Sequence, residues 1–218
     1  MGLKAKAKNG ENIPPMDEGV YVAVCYGYVD LGTQYSEHYK KSSRKVQILW
    51  EIPDERIDIQ RDDKTVNLPR GISKRYTLGL GKKANLRADL QAWRGRAFSD
   101  EELEGFDLDN IIGKACQVQV VHSEPTADGK IFANVGSIMA LPKGMKAPTS
   151  TENPKIAFAI EDGEIPTMPD NMPQWLGEII LKSEEATGKK MQSGKEMPIK
   201  HDDAPFTGPT DTGDDLPF

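Results

Sequence analysis

Val46, Ile48, Trp50 and Ile52 alternate with Lys45, Gln47 and Glu51. A period of two places one set of side chains in a core and the other outside it, which is the signature of a strand. This strand, expected over 44–52 and ended by Pro53, has companions. Val20 to Tyr26 is rich in β-branched and aromatic residues and lies between Gly19 and Gly32, so a first strand is expected over 19–31. Ile72, Tyr76, Leu78 and Leu80 share one face of a third, over 72–80. Residues 33–41 read as a loop and residues 54–69 as a charged connection.

The period then changes. Leu86, Leu90 and Trp93 stand at i, i+4 and i+7, one stripe of a helix that Gly95 stops. Ser99 and Glu102 form a capping-box pair for a second short helix, and 106–112 offers one more turn. Two strands follow, over 114–123 and 130–141, joined through Asp128-Gly129. Three strands, a helix and a hairpin are the element order of an OB-fold: a mainly β, five-stranded, partly open barrel with a helical insertion between strands three and four. Residues 1–147 are assigned to this domain and its N-terminal arm. Residues 148–186 read as a linker with a possible strand at Ile156, Phe158 and Ile160 and a helix over 174–186. From 187 apolar residues are too sparse to offset ordering entropy, so a disordered acidic tail is expected.

Charge follows the same division. The net charge is −6, yet residues 1–147 carry +2 and residues 148–218 carry −8. Cys25 and Cys116 sit apart in apolar runs and read as buried thiols; the three histidines have no metal-ligand spacing. No cofactor or metal is expected. No apolar stretch approaches the ~18 residues of a membrane span, and Met1 to Gly10 lacks the apolar core of a signal peptide, so a cytoplasmic location is expected.

Two basic runs interleave with rings. Tyr35 and Tyr39 precede Lys40, Lys41, Arg44 and Lys45. Between Arg70 and Arg87 lie Lys74, Arg75, Tyr76, Lys82 and Lys83, without an acidic residue. Binding of single-stranded nucleic acid needs cations along the phosphates and flat faces for the bases, and these residues are expected to share one channel. Tyr76, by parity with its aliphatic neighbours, also fits the core, and any one cation also fits a solvated face. Lys82 and Lys83 precede the helix at its positive end, where a phosphate would offset the unfavourable charge.

The tail closes on Asp214, Asp215, Leu216, Pro217 and Phe218, an acidic segment ending in an apolar hook that a partner's small pocket and cations would accept. This ending resembles the tip of bacterial single-stranded DNA-binding proteins, with Leu216 where isoleucine is usual. Ser73–Leu78, Asn85–Gly95, Phe106-Asp107-Leu108 and Ile112-Gly113-Lys114 resemble phage and prophage proteins of that kind, over roughly residues 15–145. The region from strand three to strand four is longer than in the bacterial proteins. The resemblance implies an OB core that coats single strands in replication, recombination and repair, in the host cytoplasm if phage-encoded. It further implies a tip that docks replication and recombination proteins, and leaves a homo-oligomer open. The acidic tail is expected to compete with phosphate for the basic groove.

Other classes remain. A phosphodiesterase would need ligands such as Asp54, Glu55, Asp58, Asp62 and Asp63, but Arg56, Arg61 and Lys64 are interspersed and no P-loop or nucleophile motif accompanies them, so an enzyme is not expected. A phage protein-interaction adaptor, or a strand-annealing or RNA-binding protein, are the alternatives.

Overall fold

The computed structural model describes residues 13–61, 64–148 and 151–189. Three long strands open the fold: β1 (Gly19–Ser36), β2 (Lys41–Arg61) and β3 (Lys64–Thr77). Helices α1 (Asn85–Arg94) and α2 (Asp100–Glu104) and a 3-10 turn (Leu108–Ile111) precede β4 (Ala115–His122) and β5 (Ala133–Met139). A short β6 (Ile156–Phe158), α3 (Gln174–Ile180) and α4 (Glu184–Thr187) follow. The protein is mainly β. The hydrogen-bonded order is β3-β2-β1-β4-β5, antiparallel throughout, and β6 adds to β1 in parallel. Among the described residues six strands thus replace the expected five, and the ladder is open between β3 and β5.

The strands are longer than their alternation suggested, because bulges carry the chain through residues that look like stops. Gly32, expected as an end of β1, has φ +68° and sits in a register shift between Asp30 and Thr33. Pro53 lies within β2 at the shift between Ile52 and Arg56, where its missing N–H removes no ladder bond. The expected charged connection 54–69 is therefore a two-stranded arm. Ile57 pairs with Leu68 and Ile59 with Val66, and the polar side is tied by Asn67 donating to Asp58 and Gln60 to Thr65. At Gly27 a Cβ would come within 2.1 Å of the Ile156 carbonyl oxygen, so β6 can pair there only with glycine.

Two cores result. The interior one holds Val46, Ile48, Trp50, Ile52, Ile72, Tyr76, Val118, Val120 and Ile138, and α1 closes it with Leu86, Leu90 and Trp93. Gly95 ends α1 in the left-handed region, and Ser99 and Glu102 form both bonds of the capping box. Cys25 and Cys116 are buried free thiols in this core; burial pushes Cys25 up to about 12 and raises Cys116 too.

The second core lies on the other face of β1 and β2. Val29, Leu31 and Leu49 meet Ile156, Phe158, Ile160, Leu176 and Ile180. Residues 151–186 of the expected linker 148–186, with the first residues of the expected tail, are a packed layer: β-branched and aromatic side chains at 156, 158 and 160 share one face, and α3 buries the stripe opposite. Buried carboxylates pin it. Glu51 accepts from the backbone N–H groups of Glu152 and Asn153, and Asp30 from that of Ile160. The helix expected over 174–186 is broken at Leu181–Ser183 into α3 and α4. The tail from residue 190, with the tip Asp214–Phe218, lies outside the described residues. No helix among the described residues is long and apolar enough to cross a membrane.

Candidate nucleic-acid interface

The expected cations divide into those engaged by the fold and those left open. Arg44 donates to Asp30 and to the Ile160 carbonyl, fastening the outer layer, and its pKa is raised by that Asp30 bond. Lys74 Nζ donates to Asp89 at 2.8 Å and to the Gly136 carbonyl at 3.3 Å, bridging β3 to α1 and β5. Arg87 donates to Gln91 and to the Leu80 carbonyl, and Lys40 pairs with Glu37. Tyr76 is core: it is buried and its hydroxyl donates to Asp89. Tyr35 is half-buried near the end of β1. Tyr39 is 77% exposed at the β1–β2 turn, edge-on to His38. Lys41, Lys82 and Lys83 are exposed. Asp58, weighed as a metal ligand, accepts from Asn67, while Asp62 and Asp63 lie outside the described residues.

Arg75 has a different setting. On the outward face of β2 and β3, Gln47 pairs with Arg75 and Lys45 with Thr77. Arg75 Nε donates to Gln47 Oε1, Gln47 Nε2 to Ser73 Oγ, and Lys45 Nζ to Thr77 Oγ1. Among the described residues neither Lys45 nor Arg75 joins an ion pair. Partial burial lowers the pKa of both, and the charge of Arg75 lowers Lys45 further. Lys45 is half-buried and Arg75 exposed, and an anion would supply the counter-charge that both lack among the described residues.

Arg75 lines a notch of about 290 Å³ together with Gln47, Ser73, Lys74, Asn134 and Val135, and Lys45 lies two residues from Gln47 on the same face of β2. The notch shares Gln47, Ser73 and Asn134 with a far larger groove of about 1390 Å³. The groove runs between the β2–β3 arm (Ile57, Ile59, Leu68), the β4–β5 loop (Lys130, Ile131, Phe132) and Trp175 of α3, over Arg70. Phe132 is 53% exposed and Trp175 43%. Phe132 is held in place: its N–H donates to Ser123 Oγ, and its carbonyl accepts from the Ser123 N–H.

The shared channel expected for Tyr39, Lys41 and Arg75 is not what forms. Lys41, Lys45 and Gln47 alternate onto one face of β2, but Lys41 stands six residues from Gln47, about 20 Å along the strand, and neither it nor Tyr39 lines the groove. The rings at the groove are Phe132 and Trp175, and neither lies in a basic run: Phe132 has the single cation Lys130 near it and Trp175 has none. The apolar pair Ile131-Phe132 just after the Gly129 turn was the available signal. No family model matches the chain, and no curated protein does.

Proposed function

We propose that the chain is a non-enzymatic, OB-type protein that binds single-stranded DNA across the outward face of β2 and β3. The OB reading is supported by the strand order β3-β2-β1-β4-β5, by α1 lying between β3 and β4, and by Lys74 reaching from one open edge to the Gly136 carbonyl on the other. In that fold the strand two–three face and the β4–β5 loop bind oligonucleotides. The observation that carries the functional reading is the unneutralised pair Lys45 and Arg75, with Arg75 lining a notch that adjoins a groove with two exposed rings.

Lys45 and Arg75 take phosphates while the apolar end of the groove takes bases. Such binding tolerates most sequences, because every base has a stacking face. The acidic tip Asp214–Phe218 recruits replication or recombination proteins; removing Phe218 should abolish that recruitment and leave strand affinity largely intact. The test of the groove is a labelled dT oligonucleotide titrated beside the matching RNA and duplex. With two or three phosphates neutralised, dT affinity should fall roughly 7- to 20-fold between 50 and 200 mM salt, and Arg75→Glu should lower it further. Equal affinity for duplex, or salt-independent binding, would reject the reading. Preference for RNA would move it to the RNA-binding alternative.

A further inference from the structure

Helix α3 carries an odd division of labour. Leu176 and Ile180 are wholly buried against Val29, Leu31 and Leu49, whereas Trp175, about 100° around the helix from Leu176, keeps 43% of its surface open. A large aromatic ring left half in water forgoes burial that would be favourable. This one lines the groove, across from the β4–β5 loop that carries Phe132. The helix under it is fixed. Gln34 Nε2 donates to the Ile179 carbonyl, Gly177 packs on the Met168 sulfur, and the next turn is fastened by Glu185 accepting from the Thr33 N–H and hydroxyl.

We propose that Trp175 is a nucleobase-stacking residue, and that the layer 151–183 is therefore a structural wall of the binding groove. The proposal rests on the groove taking single-stranded nucleic acid. The groove's volume of about 1390 Å³ exceeds the ~300–1,000 Å³ of a small-molecule pocket, and its open form suits a chain that passes through. A flat ring held by a packed helix loses little freedom when a base stacks on it. Phosphates meet Arg75 at the notch and Lys45 beside it on β2, and bases turn toward Phe132 and Trp175.

The chain provides its own reporter. Of its three tryptophans, Trp50 and Trp93 are buried in the interior core, and only Trp175 is substantially exposed. Titration of the full chain with labelled dT oligonucleotide reads strand anisotropy and tryptophan emission together. Emission should be quenched with the same midpoint as anisotropy, and iodide should lose access to the ring as the strand binds. Trp175→Ala should weaken dT binding roughly 5- to 150-fold, the range of one lost stack, and Trp175→Phe should recover most of it. Anisotropy that reports binding while emission and iodide access stay unchanged overturns the role of Trp175 and leaves the DNA-binding reading intact. Absence of any anisotropy change overturns both. The emission measurement on the unmodified protein decides the question even if Trp175→Ala does not fold.

Discussion

The interior core and the outer core share two strands and differ in how they are held. Inside, Val46, Ile48, Trp50 and Ile52 meet α1 through apolar contact. Outside, Leu49 and Val29 meet the layer 151–188, and beside them Glu51 and Asp30 are buried as carboxylates bonded to backbone N–H groups. The first core is built by the strands and the helix that follow one another in sequence. The second depends on a segment arriving more than a hundred residues after β1. A sheet face that alternation assigns to solvent is thus half covered by the chain itself. Where that cover stops, at exposed Arg75, the face is charged, and the notch there adjoins the groove that Phe132 and Trp175 line. The candidate site is defined by the edge of the outer core.

Whether the two cores melt as one is the largest effect to seek. Leu176→Ala and Leu90→Ala each remove a fully buried leucine from one core and should each destabilise by about 2–5 kcal/mol. Urea unfolding followed by circular dichroism and tryptophan emission separates the cases. If the sheet couples them, both variants shift one transition. If the outer layer opens alone, Leu176→Ala produces an earlier, emission-detected step that Leu90→Ala lacks, and the groove loses its wall before the interior core unfolds.

The carboxylate anchors sharpen the contrast. Glu51→Ala leaves the N–H groups of Glu152 and Asn153 and the Asn153 amide without their acceptor. Loss of charge-assisted bonds at a buried site should destabilise by about 1.5–3 kcal/mol. The loss should fall on the outer layer: hydrogen exchange should quicken over 152–180 while the amides of α1 keep their protection. Uniform quickening would mean that the anchor serves the whole sheet.

These two regions were also unequally legible. Alternation at 46–52, the Leu86/Leu90/Trp93 stripe and the Ser99/Glu102 box are local signals, and each element formed close to its expected place. What failed was whatever depended on partners remote in sequence. Pro53 and Gly32 read as stops because nothing local says that a bulge awaits them. Glu51 read as an outward residue, since only the arrival of 151–160 buries it. At the site, cations were legible as charge but not as availability: Arg44 and Lys74 are engaged by carboxylates from other elements, and Arg75 is not. Phe132 and Trp175 come together only through tertiary structure.

A smaller effect compares two helix caps. Ser99 caps α2 on the interior side, and its oxygen accepts from the Glu102 N–H; buried Ser183 caps α4 in the outer layer and accepts from the Ala186 N–H. Replacement of either by alanine should destabilise by about 1 kcal/mol. Ser183→Ala should be the worse of the two, because water can reach the N–H groups freed at exposed Ser99 more readily than those at Ser183. Equal shifts in the urea midpoint would place α4 in solvent-like surroundings and weaken the case for a packed layer.

Acid provides the smallest contrast, and its sign can be worked out. The Ser99 N–H, then Arg96 and Arg94, bring Glu102 down to about 2. For Glu185, burial acts to raise the pKa, but the hydrogen bonds from Thr33 and its neighbours together outweigh it, so the net direction is also downward. A carboxylate whose folded pKa lies below its unfolded one stabilises the native state above the unfolded value, and that contribution fades as pH falls toward the folded value. Both groups therefore steepen the loss of stability on acidification below the ordinary carboxylate range. Glu185→Gln and Glu102→Gln should each flatten the plot of urea midpoint against pH between roughly 5 and 3. With Glu185→Gln the flattening should be read by Trp175 emission, because Glu185 holds the end of the layer that carries that ring. A Glu185→Gln protein that keeps the unmodified pH slope in the emission signal would show that the Thr33 contact does not tie the layer down, leaving Gln34 and the buried apolar stripe of α3 as what positions the groove wall.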